Sequence, residues 1–408
     1  MVQRSWSRRD LLKSAGAGVV AAGVSGGVLA WMDEYIVGAT SGTGVDAAAS
    51  ISDVEHARID LSEHTGLTLV CGQYSADRGE ALHARDDVAF VQRDRRLTYV
   101  STPATETPTE DADVLPWGID RVDADVAHGE GATGAGVDVA VVDGGIDPTH
   151  PDLEGNLADP DDDGAHESWV DCSEGDCEYA WADDGGHGTH VAGTIAADGS
   201  DRVVGVAPAA TLHALKVCGS GGQCRTSAIV EAIRYAADQG WDVINLSLGS
   251  PRESPALQQA GRYAREAGVL PVAAAGNRGS PDSVGYPAAY EEFVAVSATT
   301  VDDGVAEFSS TGPEVDVAAP GAGVCSSFVD GYRSLDGTSM ASPHVAGAAA
   351  QVVADGDDAD AAERRLLESA EDIGKRDSEQ GAGLVDVAAA LGYDSSDDGT
   401  GDGAGCPT

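Results

Sequence analysis

Five runs of nearly continuous apolar residues recur along the chain: VDVAVVD (137–143), TLHALKV (211–217), WDVINLSLG (241–249), VLPVAAAGN (269–277) and EFVAVSAT (292–299). Runs without polar alternation read as strands buried on both faces, the pattern of a parallel sheet. The stretches between them have room for helices, and two are amphipathic. TSAIVEAIRYAADQG places Ile229 and Ile233 one turn apart, with Thr226 or Ser227 as cap and Gly240 as stop; SPALQQAGRYAREAG repeats the scheme and stops at Gly268. Such alternation predicts a three-layer α/β fold, a central parallel sheet flanked by helices, with its chemistry at the carboxyl ends of the strands.

Upstream the pattern changes. Residues 33–100, from DEYIVGAT to DDVAFVQRDRRLTYV, read as a small α+β unit, and the Pro-, Thr- and acid-rich segment at 101–112 reads as an exposed linker. Residues 1–31 set SRRDLLK before the uncharged SAGAGVVAAGVSGGVLA, which resembles a twin-arginine export signal and predicts a secreted, extracellular protein. A membrane anchor is the rival reading of that stretch, and its shortness and glycine content speak against it. The main domain then spans 113–392, and the acidic tail at 393–408 is expected to be flexible apart from its cysteine.

Charge restricts the partners. With 24 basic and 69 acidic residues the net charge is −45, which repels nucleic acid. Disorder would be one consequence of such acidity, but 42% hydrophobic content and long Val, Ile and Ala runs require a packed core. The alternative is life in strong salt, where the Debye length falls to about 3 Å and carboxylates no longer repel one another across the surface. The only lysines are Lys13, Lys216 and Lys375.

The chain has seven cysteines. Setting aside Cys71, the spacing allows local bridges Cys172–Cys177 and Cys218–Cys224, leaving Cys325 and Cys406 for a third; reduced thiols are the alternative. No CxxC spacing suggests zinc.

Asp143 closes the first run, His187 opens HGTHVAG after a glycine-bearing loop, and Ser339 opens a small-residue helix in LDGTSMASPHVAGAAA. A carboxylate, an imidazole and a hydroxyl in that order supply orienter, base and nucleophile for acyl transfer. Alone, Ser339 would be read as a helix N-cap. His190 and His344 fall at buried-looking helix positions and are read as structural, and HxxH at His187 and His190 lacks the glutamate of a zinc motif. An esterase elbow would need GxSxG and the order Ser, Asp, His.

VAVVDGGIDPTHPDL, HGTHVAGTIAA, VINLSLGS, VAAAGN and DGTSMASPHVAG, with LPWGID and SVGYP, together resemble the ordered signatures of the subtilisin-like serine proteases, over residues 112 to 391. The charge and export signal match a haloarchaeal secreted type. The resemblance implies a serine endopeptidase of broad specificity, probing polypeptide substrates as a monomer without membrane anchor or catalytic cofactor. Asp143, His187 and Ser339 would form its triad and Asn277 its oxyanion amide. Substrate would add as a strand beside Gly219, Ser220, Gly221 and Gly222, while Ser247, Leu248, Gly249 and Gly285 would wall the primary pocket. Arg278 would stand at that pocket's rim, where it could accept glutamate. Structural calcium is implied at Asp113 and Asp152, although the loop DGSDRVVGVAP is one residue shorter than the usual calcium loop. Residues 33–100 would be a propeptide that assists folding and then inhibits, with maturation cleavage between Val100 and Asp113.

Overall fold

The computed structural model describes residues 33–99, 102–103, 115–160, 162, 164–172, 177–395 and 406. The expected signal at 1–31, most of the linker and most of the tail lie outside the described residues.

Residues 33–99 form the small α+β unit. Its antiparallel sheet has the order β2-β3-β1-β4, made of β1 (Asp33–Ala39), β2 (Val54–Leu61), β3 (Leu67–Tyr74) and β4 (Val88–Arg93). Helices of eight residues or more are labelled here, and α1 (Gly42–Ile51) and α2 (Ala76–His83) belong to this unit. Because side chains alternate along a strand, the sheet has two apolar faces. Val37 and Val70 pack with Ala48 and Leu82 of the two helices. Ile36, Ile59, Leu61 and Leu69 instead join a core shared with the rest of the chain, as does the buried thiol Cys71.

The chain then crosses the main domain as two short strands, β5 (Arg96–Tyr99) and β6 (Thr102–Pro103). The main sheet has seven strands, all parallel, in the order β15-β14-β13-β11-β7-β9-β8. These are β7 (Asp138–Asp143), β8 (Glu167–Ser168), β9 (Thr211–Lys216), β11 (Val243–Leu246), β13 (Leu270–Ala274), β14 (Val294–Thr299) and β15 (Val317–Pro320). Two further strands flank β5: β10 (Gln223–Arg225) and β12 (Leu248–Gly249). A hairpin of β16 (Val324–Phe328) and β17 (Gly331–Asp336) pairs with β6. Each of the five expected strands is present, but 241–249 is not one strand. It breaks at Ser247, and Leu248–Gly249 leave the main sheet to pair with β5.

One face of the sheet carries α3 (His187–Ala196), the central α6 (Thr338–Ala354) and α7 (Ala359–Ser369); the other carries α4 (Thr226–Gln239) and α5 (Pro255–Glu266). Thr338 through Val352 of α6 are all buried, which explains its run of alanine and glycine: small side chains let neighbouring backbones close in. A Cβ on Gly347 would lie 2.6 Å from the Val206 side chain. Gly240 ends α4 in the left-handed conformation, as its sequence position requires.

The cap of α4 differs from expectation. Neither Thr226 nor Ser227 caps the helix itself; Asp94 of the small unit accepts from the Ser227 N–H (3.0 Å) and hydroxyl (2.6 Å), and Thr226 Oγ1 donates to Arg95 O (3.0 Å). Gln92 likewise accepts from Ala256 N (3.0 Å) in the first turn of α5, alongside the Ser254 cap. A carboxylate at a helix N-terminus meets both the unpaired N–H groups and the positive end of the dipole. Burial nonetheless raises the Asp94 pKa. Three disulfides close Cys172–Cys177, Cys218–Cys224 and Cys325–Cys406.

Candidate active site

The carboxyl ends of the parallel strands converge on one cleft. Asp143 ends β7 with no exposure to solvent, and its carboxylate accepts from Gly144 N (2.7 Å) and from His187 Nδ1 at 2.9 and 3.0 Å. Nδ1 therefore carries the proton, and Nε2 is the basic nitrogen; it is buried and has no hydrogen-bond partner. Two glycines make this approach feasible. Gly186 turns the chain into α3 with φ of 86°, and a Cβ on Gly188 would lie 2.1 Å from Gly145 O. Asp183, partly buried, holds the start of α3 by accepting from the N–H groups of Gly185, Gly186 and Thr189.

Ser339 is the second residue of α6, where backbone N–H groups lack intrahelical acceptors. Its hydroxyl donates to Ser247 O (2.8 Å), not to His187. Pro343, four residues on, has no N–H to offer Ser339 O, and the Ser247 hydroxyl fills that gap at 2.8 Å. Ser247 is held in turn by Asn245 Nδ2 (3.0 Å) and Ser342 Oγ (2.9 Å). This positioning role of Ser247 was not legible in the sequence, where it reads only as a pocket wall. Asn277 Oδ1 accepts from Thr338 N and Thr338 Oγ1, both at 2.9 Å, which fixes the amide with its NH2 end on the opposite side.

The substrate-like feature is the chain itself. β5 lies antiparallel between β10 and β12, with Leu97 opposite Cys224 and Thr98 opposite both Gln223 and Gly249. Tyr99 N donates to Gly222 O (3.2 Å), and the Tyr99 ring stacks on His187 with centroids 4.0 Å apart. Its hydroxyl makes no well-aligned hydrogen bond although it lies beside Asp143, and burial, reinforced by Asp143 and Asp183, raises its pKa strongly. Tyr99 also pairs with Leu248, whose neighbour Ser247 receives the Ser339 hydroxyl. One residue of the strand thus spans from the imidazole to the serine's anchor.

Gly285 N donates to Ala275 O (2.8 Å) and Ser250 pairs with Tyr286, so segments 247–250, 275–277 and 283–286 meet in one place. Arg278 is exposed, next to Asn277 in the chain. Its guanidinium donates to Ser283 O and Val284 O, tying down the segment before Gly285. Gly219–Gly222 form the turn ahead of β10, with Gly222 N donating to Gly219 O (2.8 Å).

His190 and His344 are structural. His190 Nε2 donates to Val324 O and Arg333 O (3.0 Å each), His344 Nδ1 donates to Met340 O (2.8 Å), and burial lowers their pKa values to about 3 and about 4. Lys216 is wholly buried at the end of β9, donating to Asp184 Oδ1 (2.8 Å) and Ala182 O (2.6 Å). It braces the loop leading to His187; its one sequence signal is that lysine is so rare in this chain.

The calcium expectation meets a misfit at Asp152. Asp113 lies outside the described residues. Asp152, fully buried, accepts from Asp201 N (2.5 Å), Arg202 N (3.1 Å), Val203 N (3.2 Å) and the Tyr332 hydroxyl (2.7 Å). A calcium site needs oxygens turned inward, whereas the shortened loop turns N–H groups to the carboxylate. These residues do not fit a calcium ion, and among the described residues no cluster of three or more acidic, histidine or cysteine side chains could hold a metal. Asp152 therefore supports the melting temperature through its N–H and hydroxyl donors. Tyr332→Phe should lower it by about 3–8 °C, because a buried carboxylate loses a donor at a cost of about 1–3 kcal/mol. Calorimetry of both proteins measures this.

An imidazole whose donor nitrogen is committed to a buried carboxylate, and whose other nitrogen is buried without a protein hydrogen-bond partner, has a free lone pair that can take a proton. On a parallel sheet, with an extended chain lying in the cleft, that chemistry defines the class of serine hydrolases that act on polypeptides. Comparison with known proteins narrows the class. The subtilase family model matches residues 134–383. The chain is 43% identical over 310 residues to an alkaline protease of Shouchella clausii, covering 75% of each. It is 49% identical over 243 residues to subtilisin BL of Lederbergia lenta (59% of this chain, 85% of the relative), and 41% identical over 309 residues to subtilisin E of Bacillus subtilis (74% and 77%). The chain belongs to the subtilase family and is a subtilisin-like serine endopeptidase.

Proposed function

We propose that this protein is a secreted, salt-adapted endopeptidase of broad specificity, made as a precursor and exported through the twin-arginine route as a haloarchaeal type of subtilase. Ser339 is the nucleophile, His187 its general base and then acid, Asp143 the group that fixes the imidazole tautomer, and Asn277 with the Ser339 N–H the oxyanion site. Acylation requires the Ser339 hydroxyl to leave Ser247 O and turn to His187 Nε2, a change of side-chain rotamer. Subtilases need no catalytic cofactor. Among the described residues no helix is long and apolar enough to cross a membrane.

The observation that supports this reading is the seating of β5. Backbone pairing on both sides holds an extended chain with little demand on its side chains, the basis of broad specificity. The same strand accounts for maturation: residues 33–99 act as the inhibitory propeptide. Tyr99 pairs with Leu248 and Thr102 with Asp336, three residues before Ser339, so cleavage falls between Tyr99 and Thr102. Hydrolysis of casein in strong salt, blocked by a fluorophosphonate that labels Ser339, tests the function, and N-terminal sequencing of the mature form tests the cut. Persistent hydrolysis by fully labelled protein would overturn it.

Salt adaptation rests on the net charge of −45. Lowering salt from about 1 M to about 0.1 M lengthens the Debye screening distance from about 3 to about 10 Å, restoring repulsion among surface carboxylates. A loss of several kcal/mol corresponds to a fall in melting temperature of roughly 10 °C or more. A melting temperature unchanged across that range, followed by circular dichroism, would rule the adaptation out.

A further inference from the structure

The turn Gly219–Gly222 is the part of the cleft with the least reason to hold its shape. It contains three glycines, Gly222 adopts a φ of 69°, and a glycine-rich turn gives up more conformational freedom on ordering than any other. Yet this turn presents one whole side of the strand-binding edge: Gly222 O accepts from Tyr99 N, Gln223 pairs with Thr98 and Cys224 with Leu97. In the precursor β5 itself holds the edge. Once residues 33–99 leave, the edge must keep its form unaided or be rebuilt for each substrate.

The disulfide Cys218–Cys224 closes the base of this turn, six residues apart in sequence. Both cysteines are wholly buried and face each other as a bridge pair. The first is anchored in the catalytic framework, since Val217 N (2.9 Å) and Cys218 N (3.1 Å) both donate to Asp143 O at the end of β7. The second lies within β10. The crosslink therefore carries the position of the Asp143 strand end directly into the edge that receives substrate.

We propose that Cys218–Cys224 is a specificity-determining crosslink, which holds the empty edge ready for strand pairing and so selects extended peptides that fill three or more positions before the cut. Preorganisation of this kind lowers the ordering cost of binding without touching the reacting atoms. The crosslink acts on KM for long substrates and leaves the acylation machinery alone. This inference rests on the endopeptidase reading above.

The test compares mature wild-type enzyme with the Cys218→Ala/Cys224→Ala double variant in strong salt, on a tetrapeptide anilide and on a single-residue ester that does not reach β10. The expected result is a KM for the tetrapeptide raised roughly five- to tenfold, with its kcat and the ester hydrolysis little changed. Equal loss on both substrates, or no change on either, overturns the crosslink's role. Wild-type enzyme that fails to hydrolyse the ester overturns the endopeptidase reading instead. Hydrogen exchange on the wild-type protein gives a second measurement if the variant does not mature. Amides of Gln223 and Cys224 already protected in the free mature enzyme support the inference; protection that appears only with a bound peptide inhibitor overturns it.

Discussion

Ser339→Ala yields a folded, uncut chain that retains residues 33–99 and has lost hydrolytic activity by a factor on the order of 10⁶, the size such a loss has in the family's type enzyme. The argument has two parts. The Ser339 hydroxyl makes one hydrogen bond, to Ser247 O at 2.8 Å, so its removal costs about 1 kcal/mol and the protein stays folded. The small unit meanwhile stays docked, with β5 between β10 and β12 and with Asp94 and Gln92 at the N-termini of α4 and α5. Mass spectrometry of the secreted product and a thermal melt check both parts. Normal processing of this variant, in the absence of wild-type protein, would mean that another protease performs the maturation.

Asn277→Ala lowers kcat by about 10²–10³ with little change in KM, again the magnitude known for the corresponding amide in the type enzyme. Asn277 Oδ1 is committed to Thr338 N and Oγ1, so the amide is oriented before substrate arrives and costs no reorganisation during the reaction. Asn277→Asp separates orientation from donation: it keeps both contacts to Thr338 but puts an oxygen where the NH2 group stood, and its kcat should fall at least as far. Steady-state kinetics on one peptide substrate decide the matter. An Asn277→Asp enzyme with wild-type kcat would remove Asn277 from the oxyanion site.

Much of the fold could be read in advance because of how parallel sheets are buried. Strands covered on both faces have no polar side, so Val139, Val141, Leu212, Ala214, Val272 and Val296 stand out as apolar runs. β15 escaped notice because four residues of valine, alanine and proline are too few to show a period. The single run 241–249 was misleading for a different reason. Apolar character continues through Leu248, but the backbone changes sheet at Ser247, whose hydroxyl and carbonyl both serve Ser339.

Site residues divide along the same line. Asp143, His187, Ser339 and Asn277 are legible as candidates because Asp143 ends a strand, His187 and Ser339 start helices and Asn277 follows a strand, each in a short, glycine-marked segment. Their partners are not. The cap of α4 comes from Asp94, 133 positions before Ser227, and the hydroxyl on Asp152 comes from Tyr332, 180 positions away. Asp152 illustrates the limit well: a buried aspartate beside a loop suits a cation if the loop turns in its carbonyls, and suits N–H donors if it turns in its amides.

The amino-acid order by itself determined which chemical groups this protein owns and where each falls on its local element, because strand burial, helix stops and glycine turns depend on neighbours a few residues apart. Only the tertiary structure decided what each group faces: Arg278 on backbone carbonyls, Ser339 on Ser247, Asp152 on amides, Tyr99 over His187. Hydrogen bonds are made or lost within a few tenths of an ångström, and that separation is set by the packing of elements far apart in the chain.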